Sequence, residues 1–334
     1  MNTHKKIRTF FTVATMLAVC FFTCVLPSCQ AALKVRTVYA MDTMMTLTCV
    51  DDSVFDALEQ AIKRADKTLS VTDKTGAVYR LNQQKQGEFD GDFIAFFRRA
   101  LDLCAQTNGA FDITMYPVVK AWGFTTDEYR VPTEEELTGL LTRVGYEKVT
   151  VEGNIVRLAE ETEVDLGGVA KGYLGDVLRT ECLRLGVTDA ILNLGGNIVC
   201  LGQKNGRPWR VAVADPDENG YLGILSVTDT NVVTSGAYER YFEKDGVKYG
   251  HIFDPATGRP ATGLVSVTVI GEDGMACDAL STALFAMGFE KACAFVLEND
   301  VQAVLYKGDG KVYVTPSLDG VFTVDGRYEK GVIA

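Results

Sequence analysis

Apolar residues recur along this chain with two periods, one near 3.6 and one of 2, and their succession lays out its elements. Phe55, Leu58, Ile62, Ala65 and Leu69 fall at helical spacing behind Ser53, a capping residue, which predicts a helix over 53–69. A second helix covers 92–107 and stops at Asn108-Gly109. Thr133 with Glu136 makes a capping box for a short helix reaching 144. Val169, Tyr173 and Val177, with Leu174, Leu178 and Cys182 on the neighbouring row, mark a helix that Gly186 ends. Another begins near Cys277-Asp278 and runs to about 299. Strand patterns occupy 34–44, 147–151, 155–158, 163–166, 190–194, 197–201, 209–214, 225–228, 264–270, 301–306 and 312–315. Hairpins turn at Gly153 and at Asp245-Gly246, while Pro117 and Gly123 predict a loop or broken helix around the anchor Trp122. Helices and strands interleave without a repeat of 20–50 residues. The pattern predicts one compact α+β unit of two intertwined lobes.

Composition changes this picture at the N-terminus. His4, Lys5, Lys6 and Arg8 precede an uncharged, mostly apolar run over 9–26, followed by Leu26-Pro27-Ser28-Cys29. Leu at −3, Ser at −1 and Cys at +1 resemble a bacterial lipoprotein signal, with Pro27 departing from the usual small residue. The expectation is a signal peptide over 1–28 and an exported protein anchored to the cell membrane through lipid on Cys29. Ordinary signal cleavage and an uncleaved single-span anchor are the alternatives. The remaining chain, 29–334, reads as one domain. With 47% hydrophobic residues it can bury a sizeable core, and its net charge of −11 argues against nucleic acid as a partner. Cys49, Cys104, Cys182, Cys200, Cys277 and Cys293 sit mostly within apolar patterns without C-x-x-C spacing, as buried thiols do.

Candidate chemistry concentrates in a few places. Gly167-Gly168 separates a strand pattern from a helix pattern, where backbone N–H groups and the helix dipole suit a phosphate and Lys171 can neutralise charge. The same pair reads equally as a tight packing turn. It is neither a P-loop nor a G-x-G-x-x-G motif. Asp278 and Thr282, four apart on one helix face, offer two hard oxygens of the kind Mg²⁺ takes; the competing reading makes Asp278 a helix cap. His251 is the only histidine outside the leader and lies near Asp254, as a general base or as a satisfied turn residue. Asp112 and Asp165 interrupt apolar segments, where a carboxylate needs a ligand or a structural partner.

Several stretches, taken together and in order, resemble the ApbE family of FAD:protein FMN transferases. They are M-D-T-M at 41–44, A-F-D-I-T-x-x-P with W-G-F at 110–124, V-D-L-G-G-V-A-K-G-Y at 164–173 and L-N-L-G-G-N at 192–197. S-G-x-Y-E-R-Y-F at 235–242, H-I-F-D-P-x-T-G-x-P at 251–260 and C-D-A-L-S-T-A-L-F at 277–285 complete the set. The resemblance implies a mixed α/β unit on a mainly antiparallel sheet. It implies Mg²⁺-dependent transfer of FMN from FAD to a Thr or Ser hydroxyl of an acceptor protein, with release of AMP. Acceptors with FMN-binding domains, as in membrane redox complexes, are the implied partners. The metal ligands implied are Gly168 through its carbonyl, Asp278 and Thr282. Met41, Ala110, Phe111, Asp112, Asp165, Lys171 and Phe253 match flavin- or adenine-site positions, and His251 with Asp278 carries the catalytic expectation. Two residues depart from the pattern: Asp42 stands where the family usually has Gly, and Thr72 where an aromatic often stacks on the flavin. A flavin-storing lipoprotein and an FAD pyrophosphatase are the alternative functions.

Overall fold

The computed structural model describes residues 32–216 and 220–334. The leader and Cys29 lie outside the described residues. Nine strands form the main sheet, and their spatial order is their chain order: Lys34–Ala40, Thr43–Cys49, Ala190–Asn193, Asn197–Leu201, Thr230–Gly236, Ser266–Gly271, Gln302–Tyr306, Lys311–Val314 and Glu329–Val332. Every neighbouring pair is antiparallel except the last, Lys311–Val314 with Glu329–Val332. The fold is therefore α+β with a mainly antiparallel sheet.

Both faces of this sheet are covered, which accounts for its near-continuous apolar strands. In Thr230–Gly236, Val232 packs with Trp209, Val211 and Leu225 of a smaller three-stranded sheet. Its neighbour Val233 points the other way, into a core shared with Leu284 and Phe285 of the helix Gly274–Met287. On that helix face lie Phe55–Leu69, Gly167–Arg184 and Gly274–Met287. The last two cross with almost no side chain between them. A Cβ placed on Gly172 would sit 2.2 Å from the Gly274 carbonyl, and one on Gly274 would sit 2.8 Å from the Gly172 carbonyl. Only glycine permits that approach.

Several boundaries differ from the sequence expectation, each for a local reason. The first strand does not run through to Met44: the chain turns at Met41 and Asp42, both left-handed (φ 49° and 56°), and returns as Thr43–Cys49. The φ of Asp42 is one that glycine adopts without strain. Ser53 does not cap its helix; Asp51 accepts the Ser53 N–H and starts a short 3₁₀ turn ahead of Phe55–Leu69. Residues 163–166 form no strand, because the Asn82 carboxamide pairs with both backbone groups of Val164 in place of a neighbouring strand. Gly167-Gly168 opens the helix Gly167–Arg184 rather than standing ahead of it. The last long helix is two, Gly274–Met287 and Phe289–Glu298, broken at Gly288 (φ 75°). The capping box of Thr133 and Glu136 and the hairpin at Gly153 form as expected. The cysteines named above are all free thiols, and all but Cys293 are fully buried.

Candidate active site

The site lies where the starts of the two glycine-crossed helices meet the turn Gly195-Gly196. Asp278 is on the second turn of Gly274–Met287 and only 4% exposed. It is not the helix cap. Asp273 holds that position, accepting the Ala276 N–H at 2.8 Å. Asp176, reaching across from the other helix, accepts the Gly274 and Met275 N–H groups at 2.9 and 3.0 Å. Burial pushes the Asp176 carboxyl up to about 6 despite those bonds. Asp278 is thus free for another task, and its Oδ2 accepts the Gly172 N–H at 2.8 Å. Burial raises its pKa, opposed by the Lys171 cation, by Asn197 and by the Gly172 and Lys171 N–H groups.

Thr282 follows one turn later. Its Oγ1 lies 3.5 Å from Ser235 Oγ, which in turn bonds Ser281 Oγ at 2.8 Å. A Cβ on Gly168 would sit 3.7 Å from Thr282 Oγ1 and 2.9 Å from the Phe111 ring, so these three residues adjoin. In an ideal helix the Gly172 N–H belongs to the Gly168 carbonyl. Here Asp278 Oδ2 also accepts from that donor, at 2.8 Å.

Lys171 is the electrostatic hub. It sits in the second turn of its helix and donates to the Gly195 carbonyl at 3.3 Å. Its charge acts on Asp278, Glu239 and His251 alike. Glu239 stands open to solvent at the rim, yet crowding by protein pushes its carboxyl up to about 7, opposed by Lys171 and reinforced by Asp278. The Gly195-Gly196 turn is left-handed (φ 76° and 100°), and both N–H groups are held by Asn193 Oδ1.

His251 is half-buried, with Nδ1 3.1 Å from the Arg240 carbonyl. A carbonyl only accepts, so Nδ1 carries the proton and Nε2 keeps its lone pair. Burial, with the nearby Arg240 and Lys171 cations, lowers its pKa to about 4. Asp254 is not its partner: that carboxylate caps its own turn, accepting from Ala256 N and Thr257 Oγ1.

The other expected flavin-site residues divide. The Met41 N–H is fixed by Asp66 Oδ1 at 3.1 Å. Phe111, next to Ala110, is buried against Gly168. Asp165 Oδ1 accepts the Gly167 N–H at 2.8 Å and braces the helix start; burial raises its pKa. Asp112 has both oxygens engaged, by Thr114 and by the Tyr146 N–H, so its carboxylate ties loops together. Phe253 is buried 5.7 Å from Trp122 and 5.8 Å from Phe124, ring to ring, which leaves chiefly its backbone for a ligand. Thr72 is exposed and bonds Ser70. Gly172, Asn197, Ser235 and Glu239 also adjoin Asp278, Thr282 or Lys171, and none of them stands out singly in the sequence. All but Gly172's pairing to Asp278 were findable inside the quoted motifs.

Among the described residues no group of three or more His, Cys, Asp or Glu side chains is placed to hold a metal ion by itself. A cation here would take oxygens: one carboxylate, one hydroxyl and one carbonyl, the set Mg²⁺ completes with water and phosphate. The donor chemistry fits. So does the Asn197 carboxamide, buried beside Asp278 with its Oδ1 unpartnered.

Known proteins resemble this chain in sequence and in fold. An FAD:protein FMN transferase of Treponema pallidum is 34% identical over 302 residues, 83% of this chain and 82% of its own length. One from Vibrio cholerae is 34% identical over 258 residues, 74% of this chain and 77% of its own. The crystal structure of the ApbE protein of Thermotoga maritima superposes with a TM-score of 0.83 at 31% identity, covering 87% of this chain and 99% of that one. The flavin transferase ApbE from Vibrio cholerae gives 0.79 at 30% identity, over 87% and 99%. The ApbE family model matches residues 41–305, every motif described above, and the chain belongs to the ApbE family.

Proposed function

We propose that this protein transfers FMN from FAD to a Thr or Ser hydroxyl of an acceptor protein, with Mg²⁺ bound and AMP released. The observation that carries this reading is the gathering of Asp278, Glu239 and His251 around Lys171, next to the oxygens of Thr282 and Gly168. Gly168, Asp278 and Thr282 would hold the cation. When bound, it neutralises pyrophosphate charge and stabilises the departing AMP phosphate. Lys171 offers a second positive charge to the pyrophosphate. The acceptor oxygen attacks the phosphorus on the FMN side, the bond to the AMP phosphate breaks, and the hydroxyl proton passes to His251 Nε2. Nδ1 stays protonated against the Arg240 carbonyl, so the imidazole keeps its orientation throughout. Met41 and Phe111, with the backbone of Phe253, would adjoin the flavin and adenine. Acceptors with FMN-binding domains, as in membrane redox complexes, suit an exported enzyme tethered at Cys29.

The test is to incubate the protein with FAD, Mg²⁺ and a candidate acceptor domain and to weigh the acceptor. A gain of one FMN supports the proposal. Free FMN and AMP without that gain identify a pyrophosphatase, and unchanged FAD a storage protein.

A further inference from the structure

Strand Asn197–Leu201 alternates its side chains between the two faces of the main sheet. Val199 meets the helix face, since a Cβ on Gly175 would touch its Cγ2 at 2.8 Å. Asn197, two residues earlier, faces the same way and lies beside Asp278. It is 2% exposed, and neither Nδ2 nor Oδ1 makes a hydrogen bond of ordinary geometry, although Nδ2 comes near enough to the Asp278 carboxylate to help lower its pKa. Among the described residues it is the one side chain with two such orphaned atoms. The fold satisfies its other deeply buried asparagines. Asn82 pairs through both atoms with Val164, and Asn231 donates to the Gly271 and Glu272 carbonyls. A buried carboxamide left bare is costly, and an apolar residue of similar size would avoid that cost. With Nδ2 turned towards the Asp278 carboxylate, Oδ1 is left for a partner that arrives with a ligand.

We propose that Asn197 is a positioning residue of the cation site. Its Nδ2 holds the Asp278 carboxylate, and its Oδ1 accepts from a water carried by a divalent cation seated among Asp278, Thr282 and Gly168. Asn197 itself does not ligate the cation. It fixes which way Asp278 presents its oxygens and anchors one corner of the water shell, as outer partners of metal ligands do. This assignment rests on the cation reading given under Proposed function.

The experiment titrates Mn²⁺ into the full chain in detergent with saturating FAD and reads free Mn²⁺ by electron paramagnetic resonance. Wild type, Asn197→Leu and Asp278→Asn are compared, with melting temperatures taken in the absence of metal and FAD. Asn197→Leu is expected to weaken Mn²⁺ binding by at least about tenfold, while the metal-free melting temperature holds or rises. A smaller loss of affinity overturns the assignment, as does a fall in metal-free melting with Mn²⁺ binding intact. If Asn197→Leu does not fold, Asn197→Ser is held to the same affinity criterion. Mn²⁺ binding unaffected in Asp278→Asn, or absent in wild type, overturns the cation reading together with this one. Binding lost in Asp278→Asn but kept in Asn197→Leu overturns only the role of Asn197.

Discussion

The Gly172 N–H donates to Asp278 Oδ2 at 2.8 Å, from the body of one helix into the body of another. Such a bond requires two helices to touch backbone to side chain, and the glycines at the crossing permit it. The bond does two things at once. It orients a buried carboxylate, and it takes a share of a donor that an ideal helix gives to the Gly168 carbonyl. Packing and site chemistry are therefore one feature here: the residues that let the helices cross also set the oxygens that face a ligand.

Gly172→Ala tests that coupling. The added methyl would lie 2.2 Å from the Gly274 carbonyl and 2.7 Å from Asp278 Cβ, contacts that force the helices apart. Overpacking of this kind costs about 1–3 kcal/mol. The expected outcome is a lower denaturant midpoint together with a loss of flavin transfer that excess Mg²⁺ restores only in part. Wild-type activity in a destabilised variant would show that the crossing matters to the fold alone.

Anchoring gives a second prediction. Cys29→Ala removes the cysteine at which lipid attachment is proposed. The variant is expected to stay unprocessed or to leave the membrane fraction, and to take up no labelled lipid. Labelled lipid on the variant would place the attachment elsewhere.

Much of this architecture can be read from the chain, and the exceptions have physical causes. Strands buried on both faces announce themselves as apolar runs, as in Gln302–Tyr306, whereas Thr230–Gly236 is as deeply buried but, as T-N-V-V-T-S-G, carries too few apolar residues to read as one. The turn at Met41-Asp42 does not, because two non-glycine residues adopt left-handed φ without the usual Asn-Gly signal. The segment ending at Leu166 resembles a strand because its backbone is paired, but the pairing comes from an Asn82 side chain distant in sequence. At the site, Asp278, Thr282, Lys171 and His251 are legible as residue types at suggestive spacings. Their convergence is not, since Lys171 and Glu239 meet only through tertiary packing. The cap on Gly274–Met287 is likewise split between a local Asp273 and a distant Asp176, which no local pattern can report.

The pH dependence follows from His251 and Glu239. His251 is lowered to about 4, so it remains a neutral base across the physiological range, and the acid limb of the transfer rate is expected well below the ~6.5 of an ordinary histidine. Glu239 is raised to about 7. Its ionisation adds negative charge beside Lys171, so the KM for FAD should rise as pH passes through 7, and should stay flat there in Glu239→Gln. For stability the two groups have opposite signs. As pH falls from 6.5 towards 4, the unfolded chain protonates its histidine while folded His251 does not, and stability declines. Over the window from the ordinary carboxyl value up to 7, folded Glu239 holds a proton that the unfolded chain has released, and stability declines as pH rises. Melting curves of Glu239→Gln at pH 5 and pH 8 should therefore differ less in that direction than those of wild type.

Asp278→Asn is the sharpest test of the cation reading, because the structure separates it from helix capping. Were Asp278 the cap, asparagine would serve almost as well, since the two residues cap alike. Asp273 and Asp176 instead hold the first N–H groups of that helix, and neither is altered by the substitution. Asparagine keeps an oxygen for the Gly172 N–H and removes a charge whose burial is unfavourable, as its raised pKa records. Metal-free stability should consequently be unchanged or slightly higher. Among the proposed ligands, though, Asp278 supplies the only formal negative charge, with Thr282 and the Gly168 carbonyl neutral. Its loss should lower flavin transfer by at least about a hundredfold at limiting Mg²⁺, in keeping with about 3 kcal/mol for a ligand charge. Excess Mg²⁺ or Mn²⁺ should recover part of that loss. Thr282→Val, which removes a neutral oxygen, should lower transfer less. Rates measured against metal concentration for both variants check the order. Wild-type transfer by Asp278→Asn in limiting Mg²⁺ would remove the cation from this site.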